Sequence, residues 1–420
     1  MFNELIQNIT NWGVLAASFE EFSHNMSVNM VIMVIMMIFM VVGAVDKVRG
    51  NKRGYGEKFD EGFNAMGPLA IAMIGVVALA PVLRIILQPI IAPVYQLLGA
   101  NPAMFATTLL ANDMGGYPLA MQLAGDNETI GNFAGLILGG MMGPTIVFTI
   151  PVALSIIKKE DRPYLACGIL VGLITIPIGC IVGGLTMNMT QYKISLGEIL
   201  INLVPVIIIA GLIAVGLWFK PAQMMDGFMK FGNAITIIIT IGTAIAVFQY
   251  QTGLRFPLFD VMVDADKNGG VVPLEEGIMI VGAIAIVLIG AFPMVHFITT
   301  NFAKPLMKFG QMLGVEEKAS AGFVATLANN IPMFNIMHEM DAKGKILNVA
   351  FAVSAAFVFG DHLGFTAGVN PDMIFAVVLG KLTAGITAVI LAAVLAPKLL
   401  SKVNASQSTD KKEGVKSVAL

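Results

Sequence analysis

The sequence predicts an all-α polytopic membrane protein with two inverted structural repeats, each carrying a re-entrant hairpin followed by a discontinuous transmembrane helix. Three observations lead to this prediction. The 420-residue chain is 57% hydrophobic and only 12% charged. Its apolar runs are long enough to cross a bilayer. Two long segments of the chain also match one another at a nearly constant spacing.

The match between the two halves rests on glycines, amides and their neighbours. Gly62, Gly67 and Gly75 correspond to Gly277, Gly282 and Gly290 at one constant spacing. Further along, where the spacing lengthens by two residues, Asn112 corresponds to Asn329 and Gly143 to Gly360. Related halves with polar breaks at membrane depth are typical of secondary transporters.

The apolar segments predicted to span the membrane are 26–45, 63–87, 130–157, 163–187, 197–219, 231–250, 276–299, 346–368 and 372–396. Two further segments, 101–124 and 318–340, are interrupted by polar residues. If both turn back as re-entrant hairpins, every Lys-rich loop lies in the cytoplasm, as the positive-inside rule requires. An odd number of crossings then separates the two repeat starts, so the second repeat is inverted relative to the first.

The predicted organisation has five parts. These are an interfacial amphipathic segment (1–25), a first transmembrane repeat (26–187), a linking transmembrane helix (188–230), a second repeat (231–397) and a disordered cytoplasmic tail (398–420). The interfacial prediction rests on Phe2, Leu5, Ile6 and Ile9, which share one helical face with Trp12 as an anchor. No Lys or Arg precedes the 26–45 run, so we interpret it as a retained span rather than a signal peptide.

Four polar breaks form the candidate substrate site. The hairpin tips are 112–116 and 329–332, and the spans that follow them are broken near 143–145 and 360–362. Pro has no amide to donate, and Gly tolerates unwound backbone. Unwound backbone at this depth is tolerated only where it lines a cavity or is buried in protein. We therefore expect the four breaks to surround one central site.

Capping is the alternative role for these polar residues. Asn112, Asp113, Asn330 and Asp361 each precede or begin a predicted helix and could cap it. Acids at membrane depth are costly and point by default to function, although a capping atom can also bind substrate. For His362, a helix-packing hydrogen bond and a substrate or proton role are both open.

A loop between the halves matches a calcium-binding pattern. Residues 264–275 fit D-x-[DN]-x-[DN]-G-x5-E through Asp264, Asp266, Asn268 and Glu275. Pro273 lies inside this loop and no second such loop is visible for pairing. Calcium binding and a plain polar extracytoplasmic loop are both open.

Several chemistries have no motif in the sequence. GxxxxGK[ST], HExxH and GxSxG do not occur, which argues against direct ATP use and against the corresponding hydrolases. No basic-aromatic surface for nucleic acid is apparent. We therefore expect no cofactor, no metal and no enzymatic activity. The stretch 359–361 loosely resembles the GxGD of intramembrane aspartyl proteases, but Val358 replaces the first Gly and no Tyr-Asp pair lies in another span.

Four motifs resemble the ethanolamine permeases encoded in bacterial ethanolamine-utilisation operons. They are LGANPAMFATTLLANDMGGYPLA, GPTIVFTIPVAL, ATLANNIPMF and SAAFVFGDHLGF, and the similarity runs from Met26 through Pro397. The resemblance implies a multi-pass protein of the bacterial cytoplasmic (inner) membrane. It further implies that the protein takes up ethanolamine, by alternating access or facilitated diffusion. The first 25 residues and the calcium-like loop are not part of the family pattern.

Ethanolamine as substrate would give the polar residues distinct roles. Its ammonium group is met by carboxylates, carbonyl oxygens or an aromatic face, and its hydroxyl by amides or hydroxyls. The predicted substrate-binding residues are Asn112, Asp113, Tyr117, Thr145, Asn329, Asn330, Asp361, His362 and Phe365. The remaining spans are expected to form a scaffold that assembles as a homodimer in membrane lipid. An ion-coupled transporter of another small amine is the alternative.

Overall fold

The computed structural model describes residues 12–24 and 26–418, and the regular structure within these ranges is entirely helical. Eight helices in the described part of the chain are long and apolar enough to cross a membrane. Many of their large apolar side chains are exposed, for example Ile38, Leu212 and Ile241. Because large exposed apolar surfaces are unfavourable in water, these side chains indicate surfaces that lie against lipid.

The helices are α1 (Trp12–His24), α2 (Val28–Val48), α3 (Tyr55–Asn64), α4 (Met66–Leu97), α5 (Ala103–Leu109), α6 (Gly116–Ala124), α7 (Glu128–Asn132), α8 (Met142–Pro144), α9 (Ile150–Ile156), α10 (Arg162–Met187), α11 (Leu196–Phe219), α12 (Pro221–Thr252), α13 (Pro273–Asn301), α14 (Ala303–Met312), α15 (Glu317–Ala328), α16 (Asn330–Ile336), α17 (Ala342–Ala355), α18 (Asp361–Val369) and α19 (Ile374–Val418). Short 3-10 and π segments connect several of them.

Local signals in the sequence set several helix boundaries. Ser27 begins α2 by accepting a hydrogen bond from the Met30 amide. Ser195 and Glu198 form a reciprocal capping box at the start of α11. The span predicted at 63–87 is longer in the structure, because Pro89 and Pro93 lie inside α4 without ending it. Membrane helices tolerate such prolines when neighbouring groups satisfy the freed carbonyls.

Both interrupted segments consist of short helix pairs. In 101–124, α5 has seven residues and α6 has nine, and neither is long enough to cross a bilayer. In 318–340, α15 has 12 residues and α16 has seven. The ends of this second segment lie close together, because Lys318 Nζ is 2.8 Å from Glu339 Oε2.

The two spans that follow these segments are broken, as the sequence predicts. In the first, the unwound residues are 139–141 rather than the predicted 143–145. Gly139 and Gly140 accommodate the turn, whereas Pro144 lies in the first turn of α8, where its missing amide needs no partner. In the second, residues 356–360 are non-helical and Phe357 has a positive φ of 63°.

The matched glycines make the same contact twice. A Cβ atom at Gly62 in α3 would lie 2.6 Å from the Ile289 backbone nitrogen in α13, and one at Gly277 in α13 would lie 3.1 Å from the Ile74 Cα in α4. Gly62 corresponds to Gly277, and Ile74 to Ile289, at one sequence spacing. Contacts with exchanged partners are what a twofold relationship between two units produces.

Helices α10 and α19 cross through small residues. Gly179 packs against Gly380 and Ala384, and Gly380 packs in turn against Gly183. Small residues four positions apart let membrane helices approach closely. This crossing holds the second broken span, the α10 helix and α19 in one bundle around the breaks.

The predicted interfacial segment and disordered tail at the two ends of the chain stay predictions. Helix α1 lies within the predicted interfacial segment, but residues 1–11, including Phe2, Leu5, Ile6 and Ile9, lie outside the described residues. At the other end, α19 continues to Val418 through the predicted disordered tail. The tail carries five Lys residues and has no Pro after Pro397, so it can extend a helix that has already formed.

Candidate functional site

Each interrupted segment, which the sequence predicts to be a hairpin, is bonded at or near its tip to the break of the span that follows it. The Asn112 amide donates to the Gly139 carbonyl at 2.9 Å. In the second half, the Phe357 amide donates to the Thr326 backbone carbonyl at 3.2 Å, and the Phe359 amide donates to the Leu327 backbone carbonyl at 3.0 Å. These bonds satisfy part of the unwound backbone inside the protein, as burial at membrane depth requires.

The matched glycines Gly143 and Gly360 make this close approach possible. A Cβ atom at Gly143 would lie 1.9 Å from the Leu110 carbonyl oxygen, and one at Gly360 would lie 2.2 Å from the Ala328 carbonyl oxygen. Both distances exclude a side chain. Glycine at these two positions therefore brings each hairpin tip against its broken span.

One small cavity lies between the breaks. It has a volume of about 40 Å³, which is room for a few water molecules. Its lining residues are Ala111, Asp113, Met114, Pro144, Phe148, Phe357, Asp361 and His362. Three of the predicted site residues, Asp113, Asp361 and His362, thus line a single cavity although they come from the two halves of the chain.

The predicted aromatic residues contact each other rather than this cavity. Tyr117 and Phe365 meet edge to face, with ring centroids 5.8 Å apart. The aromatic wall of the cavity is instead made by Phe148 and Phe357, whose ring centroids are 5.5 Å apart. Neither residue was predicted from the sequence. Phe357 also packs against the His362 ring at 5.1 Å.

Thr145 and the second hairpin's amides take other partners. The Thr145 hydroxyl lies within hydrogen-bond distance of two backbone carbonyls, Met141 at 2.9 Å and Val353 at 3.0 Å, so it braces the broken span. Asn329 Oδ1 accepts from the Ile331 amide at 2.9 Å, which is the capping role. Asn330 donates to the Thr149 hydroxyl at 3.1 Å.

Asn112 and Asn330 are predicted site residues with unused hydrogen-bonding capacity in the described part of the chain: Asn330 leaves only its Oδ1 without a partner, and Asn112 its whole side-chain amide. The Asn112 side chain is fully buried, and within the described residues neither its Oδ1 nor its Nδ2 has a hydrogen-bond partner. It lies between Ala111 and Asp113, both of which line the cavity. Buried amides without partners are rare in folded proteins and call for an explanation such as an absent ligand.

Lys381, which the sequence predictions did not include, contacts His362 in the wall of the cavity. It lies within the apolar part of α19, is 1% exposed, and donates to the Gly140 carbonyl in the first break. Its Nζ is also 3.0 Å from His362 Nδ1, and it interacts electrostatically with Asp113. The sequence contains a signal for Lys381, because a lone Lys inside an apolar span indicates function by default.

Acidic residues in and next to the calcium-like loop contact a lysine and a tyrosine of the same chain. The Lys267 ammonium pairs with Asp260 and lies 3.9 Å from Asp264, and its hydrogen bond lowers the pKa of Asp260. Glu275 accepts from the Tyr250 hydroxyl at 2.6 Å. Among the described residues, no group of His, Cys, Asp and Glu side chains is placed to hold a metal ion.

Comparison with known proteins identifies relatives over most of the chain. Residues 28–395 match the family model described as ethanolamine utilisation protein, EutH. A Listeria monocytogenes protein named probable ethanolamine permease EutH is 55% identical over 388 residues, covering 92% of this chain and 100% of the relative. The Salmonella typhimurium protein of the same name is 50% identical, covering 89% of this chain and 97% of the relative. No solved structure matches the chain.

A third relative carries a different name. The Bacillus subtilis protein named uncharacterized protein YxeR is 47% identical, covering 91% of this chain and 100% of the relative. The bacterial relatives and the eight helices able to span a membrane identify a multi-pass protein of the bacterial inner membrane. With a family match over most of its length, the chain belongs to the EutH family of ethanolamine utilisation proteins.

Proposed function

We propose that this protein carries ethanolamine across the cytoplasmic membrane and binds it in the cavity between Asp113 and Asp361. The observation that carries the proposal is the meeting of these two carboxylates, one from each half of the chain, in a single small cavity. The names of the Listeria and Salmonella relatives, which describe probable ethanolamine permeases, support the choice of substrate.

The chemistry of the cavity fits a small cation. Protonated ethanolamine has only four non-hydrogen atoms, which suits a cavity with room for only a few water molecules. Its ammonium group would lie between the carboxylates of Asp113 and Asp361, against the rings of Phe148 and Phe357. Its hydroxyl would bond with His362, or with the unpartnered amide of Asn112 if that side chain turns toward the cavity.

The inverted repeats, 26–187 and 231–397, with their linking helix at 188–230, form the second part of the proposal. The reciprocal contacts of Gly62 with Ile289 and of Gly277 with Ile74 support a twofold relationship. The Lys318–Glu339 ion pair supports a re-entrant second hairpin, because it joins the two ends of that segment. A segment that crossed the membrane would separate its ends by about 30 Å.

Contacts between loops support the same topology. Asp161 and Lys345 pair at 2.6 Å, and Lys402 lies 3.3 Å from the centre of the Trp218 ring. All four residues lie at helix ends or in loops that the positive-inside rule assigns to the cytoplasm. On the opposite side, the Asn370 amide lies within hydrogen-bond distance of Asn132 (2.8 Å) and the Tyr192 hydroxyl (3.0 Å).

Alternating access follows from this arrangement. The hairpins and broken spans, bundled with α10 and α19, would form the unit that moves, and α2, α3, α4, α12 and α13 would form the scaffold. Homodimer formation through the scaffold stays a prediction. In such a mechanism the site opens to one side at a time while the substrate stays between the two halves.

Uptake by purified protein in proteoliposomes tests the proposal. We expect uptake of labelled ethanolamine, and faster uptake by counterflow when the vesicles contain unlabelled ethanolamine. Parallel assays with and without a Na⁺ or pH gradient distinguish coupled from passive transport. Empty liposomes give the background of neutral ethanolamine that diffuses through lipid. Uptake no faster than this background at any pH or gradient would reject the proposed function.

A further inference from the structure

Lys381 connects the two halves behind the cavity. Its side chain extends from α19, donates to the free carbonyl of Gly140 in the first break, and contacts His362 of α18 at 3.0 Å. His362 lines the cavity, whereas Lys381 does not. The ammonium group therefore lies one side chain away from the place where a substrate would bind.

The hydrogen bonds fix the charge of the histidine. When Lys381 is an ammonium group it can only donate, so His362 Nδ1 then accepts and the ring carries its proton on Nε2. His362 is then neutral. The charged groups closest to the site are Asp113 from the first hairpin tip, Asp361 from α18 and Lys381 from α19. Glu61 of α3 also acts electrostatically on Asp361, and its own charge is matched by its ion pair with Lys58. Helix α10 packs against this part of α19 through the uncharged Gly179 and Gly183.

With both carboxylates and the ammonium group ionised, these groups sum to one net negative charge. Two carboxylates facing each other at membrane depth repel and would draw in two cations, or one cation and a proton. One fixed ammonium beside them leaves an unmatched charge for a single monovalent cation. A buried lysine is costly unless it is paired, so its position beside Asp113 and the Gly140 carbonyl has a purpose beyond packing.

We propose that Lys381 is a built-in cation that sets the charge of the site, so that one protonated amine neutralises it without a coupling ion. This inference rests on the proposed function. It adds a positioning residue, Lys381, and a stoichiometry of one protonated amine with no coupling ion. Lys381 acts through the electrostatic balance of the cavity and through His362, and it does not contact the substrate.

Charge compensation tests the inference. The variants are Asp361→Asn, Lys381→Met and the double variant Asp361→Asn/Lys381→Met, with Lys398→Met as the matched control because Lys398 is exposed on the same helix. In Na⁺-free buffer we expect each single variant to lose uptake by roughly tenfold or more, because each changes the net charge of a desolvated site. The double variant restores one net negative charge and should regain uptake well above either single variant.

The readouts separate a charge role from a structural role. If Lys381 only holds Gly140 and His362 in place, the double variant will be no better than Lys381→Met, which would overturn the inference. If Lys381→Met is not recovered from the membrane, comparing the double variant with Asp361→Asn alone decides the question. Lys398→Met should transport like wild type, and a loss there would show that the Lys→Met change acts non-specifically.

Failure of the proposed function would be distinguishable from failure of this inference. If wild type transports no ethanolamine, thermal unfolding in detergent with methylammonium chloride still tests the charge balance. Wild type and the double variant should be stabilised by this minimal cation, whereas Asp361→Asn should not. Equal stabilisation of all proteins, or of none, would reject the assignment of Lys381.

Discussion

Lys345 and Asp161 form a buried ion pair between the two halves of the chain. The Lys345 Nζ atom is 2.6 Å from Asp161 Oδ1, and the two side chains are only 13% and 4% exposed. Lys345 belongs to the first turn of α17, and Asp161 precedes α10. The pair thus connects the second broken span to the first repeat at the predicted cytoplasmic end.

Removal of one partner should destabilise the protein. Lys345→Met or Asp161→Asn leaves a buried charge without its partner, at a cost of about 3–5 kcal/mol. The double variant should cost less than the two single changes together, because neither charge is then stranded. Thermal unfolding in detergent measures this. The exposed Lys58–Glu61 pair is the control, and Lys58→Met should leave the midpoint unchanged. Equal, small effects at both pairs would contradict the prediction.

The glycines at the hairpin contacts should not tolerate a methyl group. Gly143→Ala and Gly360→Ala place a Cβ atom 1.9 Å and 2.2 Å from backbone carbonyl oxygens, which cannot move as a side chain would. We expect each change to lower the free energy of unfolding by about 1–3 kcal/mol. The measurement is the unfolding midpoint in detergent, supported by the yield of monodisperse protein.

Gly211 and Gly282 provide matched controls for this substitution. Both lie inside helices, and a Cβ atom at either position would meet nothing within 4 Å. Alanine there should leave stability unchanged or raise it by up to about 1 kcal/mol, since alanine is the better helix former. A loss at these positions similar to that at Gly143 would mean that the hairpin contact is not the cause.

The two cavity carboxylates should be required for transport. Asp113→Asn and Asp361→Asn keep the size of each side chain and remove its charge from a desolvated site. We expect each change to lower ethanolamine uptake by roughly two orders of magnitude, because truncating one partner of a buried charge pair costs several kcal/mol. Uptake into proteoliposomes and membrane abundance are measured together. Asp126→Asn, at an exposed loop position, should transport normally. Wild-type uptake by both cavity variants would remove the site assignment.

Asn112 should contribute to substrate binding rather than to stability. Its amide has no partner among the described residues, so Asn112→Leu breaks no hydrogen bond and removes a desolvated polar group. The unfolding midpoint should stay the same or rise, while ethanolamine uptake falls. Asn348 is the contrasting residue, because its amide lies within hydrogen-bond distance of the Ala319 and Gly344 carbonyls. Asn348→Leu should cost about 1–3 kcal/mol. An equal loss of stability from both changes would contradict this role.

Local patterns in the sequence predicted three of the residues that line the cavity, but not their contacts. Asp113, Asp361 and His362 were recognised because polar residues inside apolar runs stand out in one dimension. Tyr117 and Phe365 were selected by their spacing from these acids, and the structure packs them against each other instead. Spacing along a helix gives the face on which a residue lies, whereas its partner depends on how separate helices pack.

The position of the first break shows the same limit. The sequence indicated Gly143 and Pro144, but the backbone unwinds at 139–141. Gly143 is needed for close packing against Leu110, and Pro144 is accepted at the start of a helix. A glycine or proline therefore marks the neighbourhood of a break, and tertiary contacts decide which residue leaves the helix.

The sequence by itself determined the membrane class, the apolar segments and the matched halves. Hydropathy depends only on residues that are neighbours in the chain, and a repeat is found by comparing two stretches of the same sequence. Only the tertiary structure decided which groups meet. It brought Asp113 and Asp361 into one cavity and joined Lys381 to Gly140 and His362 across the two halves. The physical reason is that a buried charge is stabilised by partners close in space, and these partners come from helices far apart in the chain.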